Sequence, residues 1–146
     1  MNSIFENVRV GSDDEQFVGS VPPDRCLRRI DKCRRMLLIF AGYKPVVSPE
    51  VLKENICINI HYSLLPAYRG VHSTAWAILN DESYLGLTIH EINEYIDAGP
   101  IIHQYQVKND FVSTFCDYLE GFNQYIELNL GRICKEGING LLTPCV

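Results

Sequence analysis

The sequence predicts an α/β fold with parallel strands, a C-terminal β-hairpin and flanking helices. Three observations carry that prediction. Two short apolar runs, Met36–Ala41 and Ile56–Ile60, enclose a helix start at Ser48-Pro49-Glu50. Two later strand-like runs, Leu85–Ile92 and Ile101–Val107, enclose an Asp97-Ala-Gly-Pro100 turn. A stretch from Phe111 to Glu136 places apolar residues at spacings of three and four along one helix face.

Residues Met1–Pro23 are polar and turn-rich, and read as an arm with one short strand at Ile4–Val10. Asp24 is a helix cap for a short basic helix carrying Arg25, Arg28, Arg29, Lys32, Arg34 and Arg35. That cluster reads first as a solvated helix face and second as a phosphate-facing patch. Met36–Ala41 lacks alternation and stops at Gly42, as a strand buried on both faces does. Ser48 supplies an N-cap, Pro49 a first helical position and Glu50 an acid for the first turn. The link to Ile56–Ile60 is about a dozen residues, the least a parallel crossover needs. A loop, Tyr62–Gly70, and a helix within His72–Glu82 follow, then the hairpin. The final helix would turn Phe115, Leu119, Phe122, Ile126, Leu130 and Ile133 inward, although Gly121 argues against one unbroken rod. The expected organisation is an arm over 1–35, a main domain over 36–136 and an irregular tail over 137–146.

At 146 residues, 47% apolar and 21% charged, the chain has the composition of one globular domain rather than a disordered segment. No apolar run approaches the roughly 20 residues of a membrane span. The N-terminus has no apolar secretion segment, so a cytoplasmic location without a membrane partner is expected. A net charge of −5 argues against a nucleic-acid-binding surface. The six cysteines (Cys26, Cys33, Cys57, Cys116, Cys134 and Cys145) form no C-x-x-C pair. Reduced, buried thiols are expected of them, with no metal site.

In open α/β sheets, ligands bind outside the carboxyl ends of parallel strands. Asn59 and His61 stand at such an end, two residues apart, so they share a face with α-carbons roughly 6.5 Å apart. An amide can hydrogen-bond a carbonyl oxygen that gains charge, and an imidazole can move a proton. Taken alone, a histidine there is more often structural, and Asp97 alone reads as a turn residue.

The run Asn59-Ile-His-Tyr-Ser-Leu-Leu-Pro-Ala-Tyr-Arg-Gly70 resembles the signature of the formyltransferases that use 10-formyltetrahydrofolate. So do Gly86-x-Thr-x-His90 and Asp97-Ala-Gly-Pro-Ile-Ile-x-Gln104, in the same order. Phe40–Glu50 resembles the strand, loop and short helix that precede them. The likeness extends from about Leu37 to Val107. It implies a Rossmann-like fold, a formyl donor and a small-molecule amine acceptor. It implies roles as well: Asn59 for the amide that binds the formyl oxygen, His61 for the imidazole beside the reacting carbon, and Asp97 for the carboxylate that orients the site. The pterin would lie against Gly42, Tyr43, Lys44, Pro45, Val46 and Val47 and against Ile92, Asn93, Glu94, Tyr95 and Ile96. An active-site loop would comprise Ser63, Leu64, Leu65, Pro66, Tyr68, Arg69 and Gly70, with His72 and Trp76 after it.

The wording is nearest to enzymes that formylate nucleotide-linked amino sugars. The purine-pathway enzyme acting on glycinamide ribonucleotide comes next, and the enzyme acting on initiator methionyl-tRNA third. A non-catalytic folate-binding module and an interaction domain keeping the trio as a relic stay open as well. Family members begin with further strands and a Gly-rich turn, whereas the residues before Met36 hold only Gly11 and Gly19 and no G-x-G loop. A truncated form of the Rossmann-like fold is therefore expected, with much of the acceptor half missing. The Met36–Ala41 edge would then be bare unless Ile4–Val10 or another chain, such as a second copy, covers it.

Overall fold

A computed structural model describes residues 9–11, 37–42 and 46–138. One five-stranded sheet runs β1 (Arg9–Gly11), β2 (Leu37–Ala41), β3 (Ile56–His61), β4 (Tyr84–Glu91) and β5 (Ile101–Lys108), with neighbours paired in that order. β1 pairs parallel with β2, and β2 parallel with β3. β3 pairs antiparallel with β4, and β4 antiparallel with β5, so the hairpin has the expected form. The edge of β2 is taken by Arg9–Gly11, registered against Leu38–Phe40. The remainder of the expected Ile4–Val10 strand, the basic helix over 24–35, and Cys26, Cys33 and Cys145 lie outside the described residues.

Helix α1 (Pro49–Glu54) joins β2 to β3. Its N-cap is Ser48, whose Oγ accepts from the Val51 N–H at 3.4 Å while Pro49 opens the first turn. Helix α2 (Ser73–Leu79) follows the loop after β3, and the long α3 (Phe115–Ile138) packs on β5 and α2. β3 and β4 are buried almost throughout, and the buried stretch of β4 includes the polar Thr88 and His90. Ile58, Ile60, Leu85, Leu87 and Ile89 meet Phe122, Ile133 and Cys134 of α3 in one core. Each fully buried aliphatic side chain there is worth about 1.5–3 kcal/mol.

Two expectations about α3 are corrected. The helix does not begin at Phe111, because side chains capture the backbone there. Asn109 Oδ1 accepts from the Phe111 N–H at 2.9 Å, and Asp110 Oδ1 from the Val112 and Ser113 N–H groups at 2.9 and 2.7 Å. Thr114 and Asp117 then form a reciprocal cap. The Asp117 N–H donates to Thr114 Oγ1 at 3.3 Å, and the Thr114 N–H to Asp117 Oδ2 at 2.7 Å. Nor does Gly121 interrupt the helix, which continues past Glu136 through Gly137 to Ile138. Gly137 has a packing reason, since a Cβ there would come within 2.2 Å of Ile102 Cγ2.

Candidate active site

Four chain segments meet at the carboxyl end of β3. β3 presents Asn59 and His61, and the antiparallel register sets His90 of β4 directly opposite Asn59. The β4–β5 pairing shifts register between Ile89 and His90, a bulge placed beside the site. The connecting loop carries Asp97 in the left-handed region, at φ +49°. That loop can fold back because Gly99 has no side chain: a Cβ there would lie 1.7 Å from the Glu91 carbonyl oxygen. The fourth segment, the loop after β3, is tied to the sheet from behind. Thr88 Oγ1 accepts from the Leu65 N–H at 3.1 Å and donates to the Ser63 carbonyl at 2.7 Å. Gln104 Nε2 donates to the Leu65 carbonyl at 2.8 Å.

The Asp97 carboxylate is the hub. Oδ2 accepts from the Gly70 N–H at 2.8 Å and stands 3.5 Å from His61 Nδ1. Oδ1 stands 3.5 Å from Asn59 Nδ2 and 3.6 Å from His90 Nε2. Burial works to raise the pKa of this carboxyl. The His90 side chain, the Gly70 N–H and the positive potential of His61 and His90 outweigh it and hold the pKa below the ordinary aspartate value. Asp97 is therefore an anion at neutral pH.

Hydrogen-bond partners fix where the protons lie. His61 Nε2 is 2.8 Å from the Tyr68 carbonyl oxygen, which can only accept, so Nε2 carries a proton. His90 Nδ1 is 2.9 Å from the Glu91 carbonyl oxygen, so that nitrogen carries one too. Its Nε2 stands 3.3 Å from Asn59 Nδ2 and 3.6 Å from Asp97 Oδ1, within reach of both. On His61, the nitrogen left for chemistry is Nδ1, facing Asp97.

The pocket around these groups has a volume of about 400 Å³, within the range of small-molecule sites. Asn59, His61 and Asp97 line it together with His90, Phe40 and Gly42. Val46, Val47 and Ile92–Ile96 form further wall, whereas Tyr43, Lys44 and Pro45 lie outside the described residues. The active-site loop divides. Gly70 and His72 line the pocket, while Ser63, Leu64 and Tyr68 line a separate cavity of about 80 Å³. Leu65, Pro66, Arg69 and Trp76 line neither, and Trp76 is exposed on α2. His90, Thr88 and Gln104 were not read from the sequence as site residues. The signal was present, because all three fall within the quoted motifs, but only the register shows that His90 faces Asn59.

A methionyl-tRNA formyltransferase of Thermotoga neapolitana is 38% identical over 116 residues, covering 78% of this chain and 32% of that protein. A sugar N-formyltransferase structure from Shewanella sp. FDAARGOS_354 matches with a TM-score of 0.58 at 31% identity, covering 66% of this chain and 41% of the other. A phosphoribosylglycinamide formyltransferase structure from Campylobacter jejuni matches with a TM-score of 0.61 at 28% identity, covering 68% and 53%. The chain thus spans about a third of the length of the curated relative and about half of the solved structures. The formyl transferase family profile matches residues 20–118, across β2 to the first turn of α3, and the chain belongs to that family.

Proposed function

We propose that this protein transfers a formyl group from 10-formyltetrahydrofolate to a primary amine, and that the amine is carried on a nucleotide-linked sugar. The observation that supports this most is the convergence of Asn59, His61 and Asp97 within 3.5 Å contacts in one pocket. The pocket suits the donor. Its walls include Phe40, Val46, Val47, Ile92 and Ile96, which offer an apolar slot for a flat heterocycle, and its floor holds the polar trio. When bound, the folate supplies a one-carbon unit at the formate oxidation level on a nitrogen.

The residues divide the labour as follows. Asn59 lines the pocket and its Nδ2 is held by His90 at 3.3 Å, so the N–H that makes only a long 3.5 Å contact with Asp97 can turn to meet charge building on the formyl oxygen. An attacking amine must arrive neutral and shed a proton as its nitrogen bonds to carbon. His61 Nδ1 can hold that proton, with Asp97 stabilising the imidazolium. The same proton can return to the folate nitrogen as its bond to the formyl carbon breaks, leaving a formamide and tetrahydrofolate. The sugar assignment draws on the wording of the Tyr62–Pro66 and Gly70–Ile78 segments and on the sugar N-formyltransferase likeness. Buried thiols at Cys57 and Cys134 fit a reducing, cytoplasmic setting.

The test offers the chain 10-formyltetrahydrofolate with three acceptors in parallel: a nucleotide-linked amino sugar, glycinamide ribonucleotide and methionyl-tRNA. Formylation of the sugar is expected, and it should fall by about a hundredfold or more in His61→Ala and Asp97→Ala. Folate binding by calorimetry should survive both changes. Binding without turnover, unaltered by Asp97→Asn, would identify a folate-binding module instead. Absence of folate binding would reject the assignment altogether.

A further inference from the structure

We infer that Tyr68 is a positioning residue that sets where His61 carries its proton, and that Glu82 and Asn80, just beyond α2, hold Tyr68 in that role. The inference rests on the reading of His61 as the group that takes the amine proton.

Tyr68 reaches His61 through its backbone. Its carbonyl oxygen accepts from His61 Nε2 at 2.8 Å. A neutral imidazole has one proton, so placing it on Nε2 leaves Nδ1 free to act toward Asp97 and the pocket. Tyr68 presents this carbonyl from φ +56°, a left-handed conformation that is uncommon for a bulky side chain. Something must over-determine that conformation, and the side chain supplies it. The phenol O–H donates to Glu82 Oε1 at 2.6 Å and accepts from Asn80 Nδ2 at 3.2 Å.

Glu82 is itself anchored twice. Its N–H donates to the Ala77 carbonyl at 3.1 Å, inside the last turn of α2. Its carbonyl accepts from Asn109 Nδ2 at 2.9 Å, from the turn after β5. The ring of Tyr68 lines the 80 Å³ cavity with Ala77, Tyr84 and Leu85. A chain of contacts thus links the C-terminus of α2 to one nitrogen of the catalytic imidazole, through a residue that does not line the reaction pocket.

The experiment uses the full chain labelled with ¹⁵N. Long-range ¹H–¹⁵N spectra resolve its four histidines, with His61 assigned from His61→Gln. Wild type should show His61 protonated at Nε2. Tyr68→Phe keeps the ring and the carbonyl but removes the O–H. It should shift the His61 nitrogens toward a mixture of tautomers and lower kcat about tenfold or more, with KM for the formyl donor changed less than threefold. Glu82→Leu should behave like Tyr68→Phe, and Glu82→Gln, which retains an acceptor, should recover most of the wild-type spectrum and rate. The inference is overturned if Tyr68→Phe and Glu82→Leu both leave the His61 nitrogens where they are in wild type. Should wild type transfer no formyl group to any acceptor, the proposed activity fails, and the spectra still decide the role of Tyr68.

Discussion

At the scale of single residues, chemistry here follows from what each side chain has already been committed to. His61 has given one nitrogen to a carbonyl and kept the other. Asp97 accepts from Gly70 and still faces two imidazoles and an amide. The cysteines are sorted by the same logic. Loss of hydration pushes the thiols of Cys57 and Cys134 each up to about 11, with the Glu91 carboxylate adding to the effect at Cys57. Cys116 is exposed near the start of α3. Because only the thiolate is nucleophilic, iodoacetamide at pH 8 should alkylate Cys116 in the native protein and spare Cys57 and Cys134 until denaturant is added. Peptide mapping by mass spectrometry reads this directly. Native-state labelling of Cys57 as fast as Cys116 would contradict the burial assigned to it.

At the scale of elements, the instructive case is α3. Its register was plain from Phe115, Leu119, Phe122, Ile126, Leu130 and Ile133, of which Phe122 and Ile133 are buried. Its start lies beyond the apolar pattern: Phe111 and Val112 look like a continuation, yet Phe111 is at φ +58° and Val112 is 85% exposed. The Thr114-Phe-Cys-Asp117 spacing was the available signal for the cap. Gly121 does not break the helix because tertiary packing of its amphipathic face outweighs the low propensity of Gly121, Gly131 and Gly137. A Cβ at Gly121 or Gly131 would meet nothing within 4 Å, and neither residue has positive φ. Gly121→Ala and Gly131→Ala should therefore each stabilise the fold by about 0.5–1 kcal/mol, seen as a rise in Tm. A fall in Tm for both would mean that these positions face something outside the described residues.

At the scale of the whole molecule, the site acts as a clasp, because Asp97 joins β3, β4, the Gly70 loop and its own turn. Since its folded pKa is depressed, its contribution to stability is complete above the pKa of the unfolded carboxyl, about 3.9. That contribution is lost as pH falls through the lower folded value. Wild type should then exceed Asp97→Asn in Tm at neutral pH, and the gap should narrow below about pH 4. A gap independent of pH would show that Asp97 stabilises by shape rather than charge. Much of this molecule is legible in one dimension. The apolar runs, Ser48-Pro49 and the Asp97-to-Pro100 turn specify β2, α1, β3 and the hairpin, since periodicity, caps and turn preferences act over a few residues. Asn59 and His61 could be placed together for the same reason, being two apart on one strand. Pairing is different. That Asn59 faces His90, that Gly99 lets Asp97 return to β3, and that Tyr68 connects α2 to His61 all depend on contacts between segments separated by up to 38 positions. No local propensity encodes such meetings. They arise only when the sheet and its loops close around one another.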